Sequence, residues 1–470
     1  MSMLAKIKPL HWGLLTLLGW GAVVLASGLL RLDDTQHINE GAARALLLVW
    51  SVADRVISPI VTLGIPDFRA VLFIPLGLYW PGSIIAAKVF TLLLAFAAAW
   101  LLHRWSSRRH GAEAALIATG LLLISPFVLT QVDTLGAGPF LLLMLALGAW
   151  MDERYRHNTR PLGGWYFLQL MLIVIALTLH PAALAYPVAL AWHWYRQPLD
   201  TRQQRHYFIG IALATLFALV IRGGWDLVPW FNNLLTAFAD SILTSPGDTS
   251  RWLIGALVLV PLLAVLVAER RAIRDDLMTR ILALAVLCGA LAADGSWVLL
   301  CITTLLYLGT QRLILLNQLL GAQNMLGQRG LVLAILLVVT TLFMQSDKAH
   351  RTAILVNDIP PDDLLIMTLA QELADLPAEQ QILIMSQWPG RTMLAVRRPV
   401  VSLPPAYPDA ATLQKNTRAA THLIFDPRHP ASRALRDQLL EIPDYSHPLS
   451  IQPGGVILKL RDDSTAPTRG

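Results

Sequence analysis

Long apolar runs recur along most of this chain, and they limit what it can fold into more than any other feature. A helix needs about 20 mostly apolar residues to cross a bilayer. About eleven runs approach that length, at residues 10–30, 84–103, 113–131, 137–151, 163–180, 182–195, 207–222, 252–268, 278–293, 296–311 and 330–345. Only 14% of the residues are charged, against about 25% in soluble domains. The sequence therefore predicts an α-helical polytopic membrane protein.

Basic residues alternate between the connections in a way that orients these helices. With the N-terminus on the cytoplasmic side, 17 of the 24 Lys and Arg residues before position 346 fall in cytoplasmic segments, as the positive-inside rule predicts. An odd number of spans then places the C-terminus outside, which in a bacterium is the periplasm. Because the basic residues are dispersed over short loops, the net charge of +6 does not indicate nucleic-acid binding. We expect a multi-pass protein of the bacterial inner membrane.

The composition changes near residue 346. Four short β-like runs, Ala353–Val356, Ile382–Ser386, His422–Phe425 and Val456–Leu460, alternate with helical patterns near 362–376, 409–419 and 431–441. This alternation is typical of a small α/β domain. We therefore expect a transmembrane domain at 1–345 and a periplasmic α/β domain at 346–470.

The unusual residues lie in the connections on the expected outer face. The first and longest of these, 31–83, begins with Asp33-Asp34 and contains an amphipathic stretch, Gly41–Val56, which predicts a helix lying in the membrane interface. Ionisable side chains at membrane depth are costly, so each is a functional candidate. The others are Arg69, Lys88, Asp133, His180, Arg222 and Asp294. Together they predict a charged cavity for an amphiphile with a phosphate head and a lipid tail.

Each candidate also has a structural interpretation. The two aspartates are equally suited to ending one helix and capping the next, and the lysine to reaching outward toward lipid headgroups. The histidine before Pro181 would serve as a satisfied buried ring, and Arg222 as an interfacial anchor. The aromatic residues of these connections are typical of an interfacial belt. They include Trp50, Tyr79, Trp80, Trp225 and Trp230.

The motifs of this outer face resemble the GT-C class of membrane glycosyltransferases, of the bacterial aminoarabinose transferase and protein O-mannosyltransferase type. Asp33-Asp34 stands where that class has Asp-Glu after the first span, and Pro75-Leu-Gly-Leu-Tyr79-Trp80 is similar to its Pro-Pro-Leu-Tyr-Tyr-Trp stretch. Lys88 occupies the basic position at the head of the second span. Thr178-Leu-His180-Pro181 is similar to a Thr-Lys-Gly-Pro turn, with His in place of Lys.

The resemblance implies an inverting transfer of a monosaccharide from a polyprenyl-phosphate donor to lipid A, a surface glycan or a protein. Attack at the anomeric carbon needs a carboxylate to accept the proton of the acceptor hydroxyl, and Asp34, supported by Asp33, suits that task. Asp133 would position the acceptor or orient a cation. Cations would stabilise the leaving phosphate. The candidates for that role are Lys88, His180, Arg222 and Arg69.

No cofactor is firmly indicated. The spacing of Asp33, Asp34, His37 and Glu40 allows a divalent cation, and it is equally typical of a solvated helix start. Two other functions stay open from the residues: a transporter or flippase of lipid-linked glycans, and a catalytically silent scaffold. The first would show polar residues at the bilayer midplane. The ionisable groups cluster at one face instead.

Overall fold

The computed structural model describes residues 38–53, 69–123, 125–155, 164–196, 201–222, 261–289, 295–319, 359–374, 376–377, 382–404, 410–427, 430–440, 442, 445–452 and 455–460. Most of these residues are helical. The helices are α1 (Glu40–Ala53), α2 (Arg69–Tyr79), α3 (Ile84–His110), α4 (Ala112–Leu123), α5 (Pro126–Asp133), α6 (Gly138–Tyr155), α7 (Gly164–Leu179), α8 (Ala185–Tyr195), α9 (Thr201–Arg222), α10 (Arg270–Asp275), α11 (Leu277–Gly289), α12 (Gly295–Leu319), α13 (Pro361–Ala374), α14 (Pro389–Val396), α15 (Ala410–Thr417) and α16 (Pro430–Leu440). Residues 261–268 are also helical.

The expected membrane runs are helical over most of their described residues, but the number of spans is not confirmed. Two described helices are long and apolar enough to cross a bilayer, α3 and the 204–221 part of α9. A third span results if the bent pair α4 and α5 counts as one. The runs 10–30 and 330–345, and the first half of 252–268, lie outside the described residues.

Proline divides one of the expected runs and separates two others. The run 113–131 becomes α4 and α5, which are bent by 46°. Pro126 starts α5, and the side chain of Ser125 accepts a hydrogen bond from the backbone N–H of Phe127, a common way to begin a helix. Between α7 and α8, a 3-10 turn covers Pro181–Leu184. These breaks place Asp133 and His180 at helix ends rather than inside spans.

One face of α9 carries large apolar side chains that none of the described residues covers. Ile209, Leu213, Leu216, Phe217 and Val220 are between 56% and 69% exposed. Their spacing puts them on one side of the helix. A continuous exposed apolar stripe of this kind is stable only against lipid or another apolar partner, which agrees with the membrane interpretation of the sequence.

The chain divides into two compact units, and the division does not follow sequence order. The first unit contains Met1–Leu32 and Lys88–Ile354, and the second contains Asp33–Ala87 and Leu355–Gly470. In the first, α7 packs against α9, α8 against α11, and α12 against α4 and α11. In the second, α1 packs against α2 and also against α14, more than 330 residues later in the chain.

The second unit holds a five-stranded mixed sheet. Its strands are β1 (Ile384–Ser386), β2 (Val400–Ser402), β3 (His422–Phe425), β4 (Ser446–Gln452) and β5 (Gly455–Leu460), in the order β2-β1-β3-β5-β4. β1 is parallel to β2 and β3, and β5 is antiparallel to β3 and β4. Its core includes Leu413, Leu423, Phe425, Leu435 and Leu439. The chain leaves β1 toward one side and β3 toward the other, so the gap between their carboxyl ends is where α/β folds place ligands.

The sequence predicts part of this sheet. β1, β3 and β5 correspond to expected runs, and α13, α15 and α16 to expected helical patterns. β2, β4 and α14 were not expected, and the run Ala353–Val356 lies outside the described residues. β5 starts at Gly455, whose φ is +151° and where a Cβ would lie 2.4 Å from the carbonyl oxygen of Phe425. Only glycine suits that position.

Candidate functional site

A buried ion pair connects two of the candidate residues. The Nζ atom of Lys88 donates to Oδ1 of Asp133 at 2.9 Å, although the two lie 45 residues apart. The side chain of Lys88 is 0% exposed and that of Asp133 is 4% exposed. Lys88 lies in the second turn of α3, and Asp133 is the last residue of α5. The lysine therefore does not reach outward to headgroups in this state, and the aspartate orients a cation.

The turn after Asp133 is built around the side chain of Gln131. Its Oε1 accepts hydrogen bonds from the N–H of Gly138 and the hydroxyl of Ser296, both at 3.2 Å. Leu135 adopts a left-handed φ of 53°. A Cβ at Gly136 would lie 2.2 Å from Oε1 of Gln131. These contacts tie the end of α5 to the starts of α6 and α12, and so hold Asp133 in place.

His180 is a buried histidine with a hydrogen-bonded ring, as its structural interpretation allowed, and it lies at the start of the 3-10 turn. Its ring is 3% exposed, and Nδ1 accepts a hydrogen bond from the backbone N–H of Ala182 at 3.1 Å. Because Nδ1 accepts, a neutral ring carries its hydrogen on Nε2. His180 therefore caps the Pro181–Leu184 turn and keeps a defined tautomer.

The remaining candidates lie in other parts of the chain. Arg69 belongs to the second unit, where it is 3% exposed and donates from Nη2 to Oδ1 of Asn39 at 3.3 Å. Arg222 is the last residue of α9, and its side chain lies outside the described residues. So do Asp33, Asp34 and Asp294. Of the seven residues expected to form the site, Lys88 and Asp133 are joined directly by an ion pair.

The start of α1, just after the acidic pair, is held by a set of contacts that the sequence did not predict. Oε1 and Oε2 of Glu40 accept hydrogen bonds from the N–H groups of Gly390 and Arg391, at 2.7 and 3.0 Å. Arg44 donates to Oε1 at 2.7 Å. These N–H groups belong to the first turn of α14, where a carboxylate is stabilised by unpaired donors and by the helix dipole. The Glu40 carboxylate therefore caps the N-terminus of α14.

Neighbouring contacts strengthen this junction. Asn39 accepts from the N–H of Gly41 at 3.0 Å as well as from Arg69. Arg391 pairs with Asp362 at 2.6 Å and with Asp363. Burial alone would lower the pKa of the Arg391 guanidinium, but the charges of Asp363 and Asp362 outweigh it and raise that pKa. All of these residues belong to the second unit.

Side-chain packing at the same junction shows why small residues are needed there. A Cβ at Gly390 would lie 2.7 Å from Cγ of Arg44 and 3.0 Å from Oε1 of Glu40. Trp50 is buried at 5% exposure, with the guanidinium of Arg397 above its ring. It is a packing residue rather than a member of an interfacial belt. Tyr79 and Trp80 are 74% and 57% exposed, as belt residues are.

Glu40 is the one expected ligand of a divalent cation that lies in the described part of the chain, and its contacts do not support that role. Among the described residues, no group of three His, Cys, Asp or Glu side chains is arranged to hold a metal ion. Both carboxylate oxygens of Glu40 accept backbone N–H groups. Asp33, Asp34 and His37 lie outside the described part of the chain.

Comparison with solved structures identifies the fold. The Archaeoglobus fulgidus oligosaccharyltransferase in the apo form matches over 95% of this chain and 74% of its own, with a TM-score of 0.56 and 11% identity. ArnT from Cupriavidus metallidurans in the apo state matches over 95% of this chain and 98% of its own, with a TM-score of 0.55 and 13% identity. The archaeal oligosaccharyltransferase AglB from Archaeoglobus fulgidus, in complex with an inhibitory peptide and a dolichol-phosphate, covers the whole chain with 76% of its own length, a TM-score of 0.52 and 11% identity.

No family model and no curated protein sequence matches this chain. The structural likeness nevertheless extends over nearly its whole length, both to the oligosaccharyltransferase and to ArnT. The resemblance that the sequence motifs indicate is therefore confirmed at the level of fold. At 11–13% identity the likeness concerns the fold alone.

Proposed function

We propose that this protein is a membrane glycosyltransferase that moves a monosaccharide from a polyprenyl-phosphate donor to an acceptor hydroxyl on the periplasmic face. The observation that carries the proposal is the buried Lys88–Asp133 pair in a chain with the GT-C fold. A fixed positive charge at the head of a membrane helix suits a lipid phosphate, since pre-placed charges stabilise a leaving anion without reorganising.

In the proposed reaction the acceptor oxygen forms a bond to the anomeric carbon while the bond from that carbon to the phosphate oxygen breaks. A single displacement of this kind inverts the configuration. The acceptor proton passes to Asp34, supported by Asp33, and the electron pair leaves with the phosphate. Lys88, oriented by Asp133, stabilises the phosphate charge. Arg222 is the further cation proposed for that task, and the neutral His180 ring would donate a hydrogen bond from its Nε2–H.

Two of the sequence candidates take other roles in this proposal. Asp133 acts on the lysine rather than on the acceptor, because its Oδ1 accepts directly from Nζ. Arg69 holds Asn39 at the start of α1, so we assign it to positioning the loop that carries the acidic pair. Asp34 precedes Glu40 by six positions, and a fully extended segment of that length spans at most about 20 Å. The Glu40 contacts thereby restrict where the proposed base can reach.

The proposal is tested by incorporating a labelled sugar from a polyprenyl-phosphate donor, with the purified protein in proteoliposomes. Asp34→Asn and Lys88→Ala should each abolish transfer, whereas Arg436→Ala, which removes an exposed ion pair with Asp437, should leave it unchanged. Intact transfer in both site variants would refute the proposed chemistry. Movement of the labelled lipid across the bilayer without a new glycosidic bond would instead identify a flippase, and neither activity a silent scaffold.

A further inference from the structure

A cavity of about 310 Å³ lies at the opposite end of α3 from the Lys88–Asp133 pair. Arg104 follows Lys88 by 16 residues on the same helix, a rise of about 24 Å, which approaches the thickness of a bilayer core. The lining of the cavity includes Arg104, Arg108, Arg109, Trp105 and Trp150. Tryptophan and arginine at the end of an apolar helix are typical of headgroup depth. The cavity is thus placed at the other surface of the membrane.

Two of the three carboxylates in the lining are already engaged. Glu153 accepts from Nη1 of Arg108 at 2.6 Å. Asp276 accepts from the backbone N–H and hydroxyl of Thr279 at 2.8 and 2.7 Å, and from the indole N–H of Trp105 at 3.2 Å. Asp276 therefore caps α11 and anchors the tryptophan, but its donors are neutral and it keeps its negative charge. Glu153 is offset by Arg108.

The remaining charges leave a positive excess. Asp275 is 66% exposed and lies 4.0 Å from the equally exposed Arg274, so solvent and that arginine screen it. Arg104 lies over the ring of Trp100, with 5.9 Å from its guanidinium carbon to the ring centre, an arrangement that stabilises the cation without neutralising it. Arg109 is exposed at the rim. Among the described residues, Arg104 and Arg109 together with Asp276 thus leave an excess of one positive charge in this cavity.

We propose that this cavity binds the phosphate of an anionic phospholipid from the leaflet opposite the transfer site. Its volume is within the range of small-molecule sites, and basic pockets between membrane helices on the cytoplasmic side bind anionic headgroups. The tryptophans suit a ligand that is part lipid and part water-exposed. The proposal rests on α3 crossing the membrane and not on sugar transfer, so it stands or fails separately from the proposed reaction.

The test measures lipid binding directly, by native mass spectrometry of the delipidated full-length protein titrated with phosphatidylglycerol. The Arg104→Ala, Arg109→Ala double variant should bind about 30-fold more weakly, since each basic residue near a membrane surface contributes about a factor of five. A matched control removes two exposed arginines away from the cavity lining, by Arg196→Ala and Arg205→Ala, and should bind as the unchanged protein does. Equal weakening in both double variants would overturn the proposal.

Two further arms identify the source of the phosphate. Phosphatidylcholine should bind at least tenfold more weakly than phosphatidylglycerol, and equal binding would overturn the assignment to an anionic lipid. Inorganic phosphate at millimolar concentration should not displace the lipid, and displacement would show a site for free phosphate instead. If the double variant does not fold, Arg109→Glu at the exposed rim replaces it, with Arg205→Glu as its control and the same expected contrast.

Discussion

Variants of the Lys88–Asp133 pair should separate its effect on stability from its effect on sugar transfer. Replacing one partner by an apolar residue leaves the other charge buried and uncompensated. Lys88→Met or Asp133→Leu alone should therefore destabilise the protein strongly. The double variant should recover most of that stability, because neither charge then remains. Its transfer activity should nevertheless stay absent, because the cation proposed for the phosphate is gone.

The size of the effect follows from the geometry. At an effective dielectric constant of about 20, opposite charges 2.9 Å apart attract by roughly 6 kcal/mol. Desolvation of two nearly inaccessible groups offsets much of this attraction. Removing one partner of such a pair costs about 3–5 kcal/mol, whereas replacing both is often neutral. The coupling free energy of the double-mutant cycle should therefore exceed about 2 kcal/mol.

The assay is equilibrium unfolding in mixed micelles of a mild detergent and dodecyl sulfate, followed by tryptophan fluorescence. The Arg108–Glu153 pair is a matched control, since its atoms are 2.6 Å apart but its side chains are 50% and 52% exposed. Exposed pairs contribute about 0–1 kcal/mol, so Arg108→Met should change little. This expectation is refuted if Asp133→Leu lowers the free energy of unfolding by less than about 1 kcal/mol. It is also refuted if the double variant loses as much of that free energy as the two single variants together.

Two further predictions concern the second unit. Glu40→Ala should destabilise the junction with α14 by about 1–2 kcal/mol, by removing the anion at a helix start, and should speed amide hydrogen exchange at Gly390 and Arg391; unchanged exchange would contradict the assigned contact. Burial and the charge of Lys459 lower the pKa of His422 to about 4. The unfolded state then gains the proton first, so stability is full above about pH 6.5 and falls by at most about 3 kcal/mol toward pH 4. His422→Gln should flatten that part of the measured pH profile, and an unchanged slope would exclude His422 as its cause.

The sequence predicts helices and buried strands well where the local pattern is strong. β3 matches the expected run His422–Phe425 at both ends, because four consecutive buried residues leave a clear apolar signal. β4 was missed because Ser446–Gln452 is an edge strand with polar residues and Pro448. An edge strand tolerates proline, since one side of it needs no hydrogen bonds.

The sequence shows which residue types are candidates for the site, but it does not show which of these residues contact one another. Lys88 and Asp133 stood out because ionisable side chains at membrane depth are costly, yet nothing in their spacing pairs them. Glu40 was noticed only as one of several acidic residues near a helix start. Its partners are backbone N–H groups 350 residues later, and backbone donors leave no trace in side-chain composition.

The distance in sequence between Glu40 and Gly390 has a consequence for the synthesis of the protein. Ribosomes add about 5–20 residues per second, so roughly 20–70 s pass between the synthesis of Glu40 and that of Gly390, 350 positions on. During this interval the helices encoded between them are synthesised while Glu40 lacks its final partner. Native contacts so distant in sequence form late. A stop codon or proteolytic cut before residue 389 would therefore leave α1 without the partner helix that the finished protein provides.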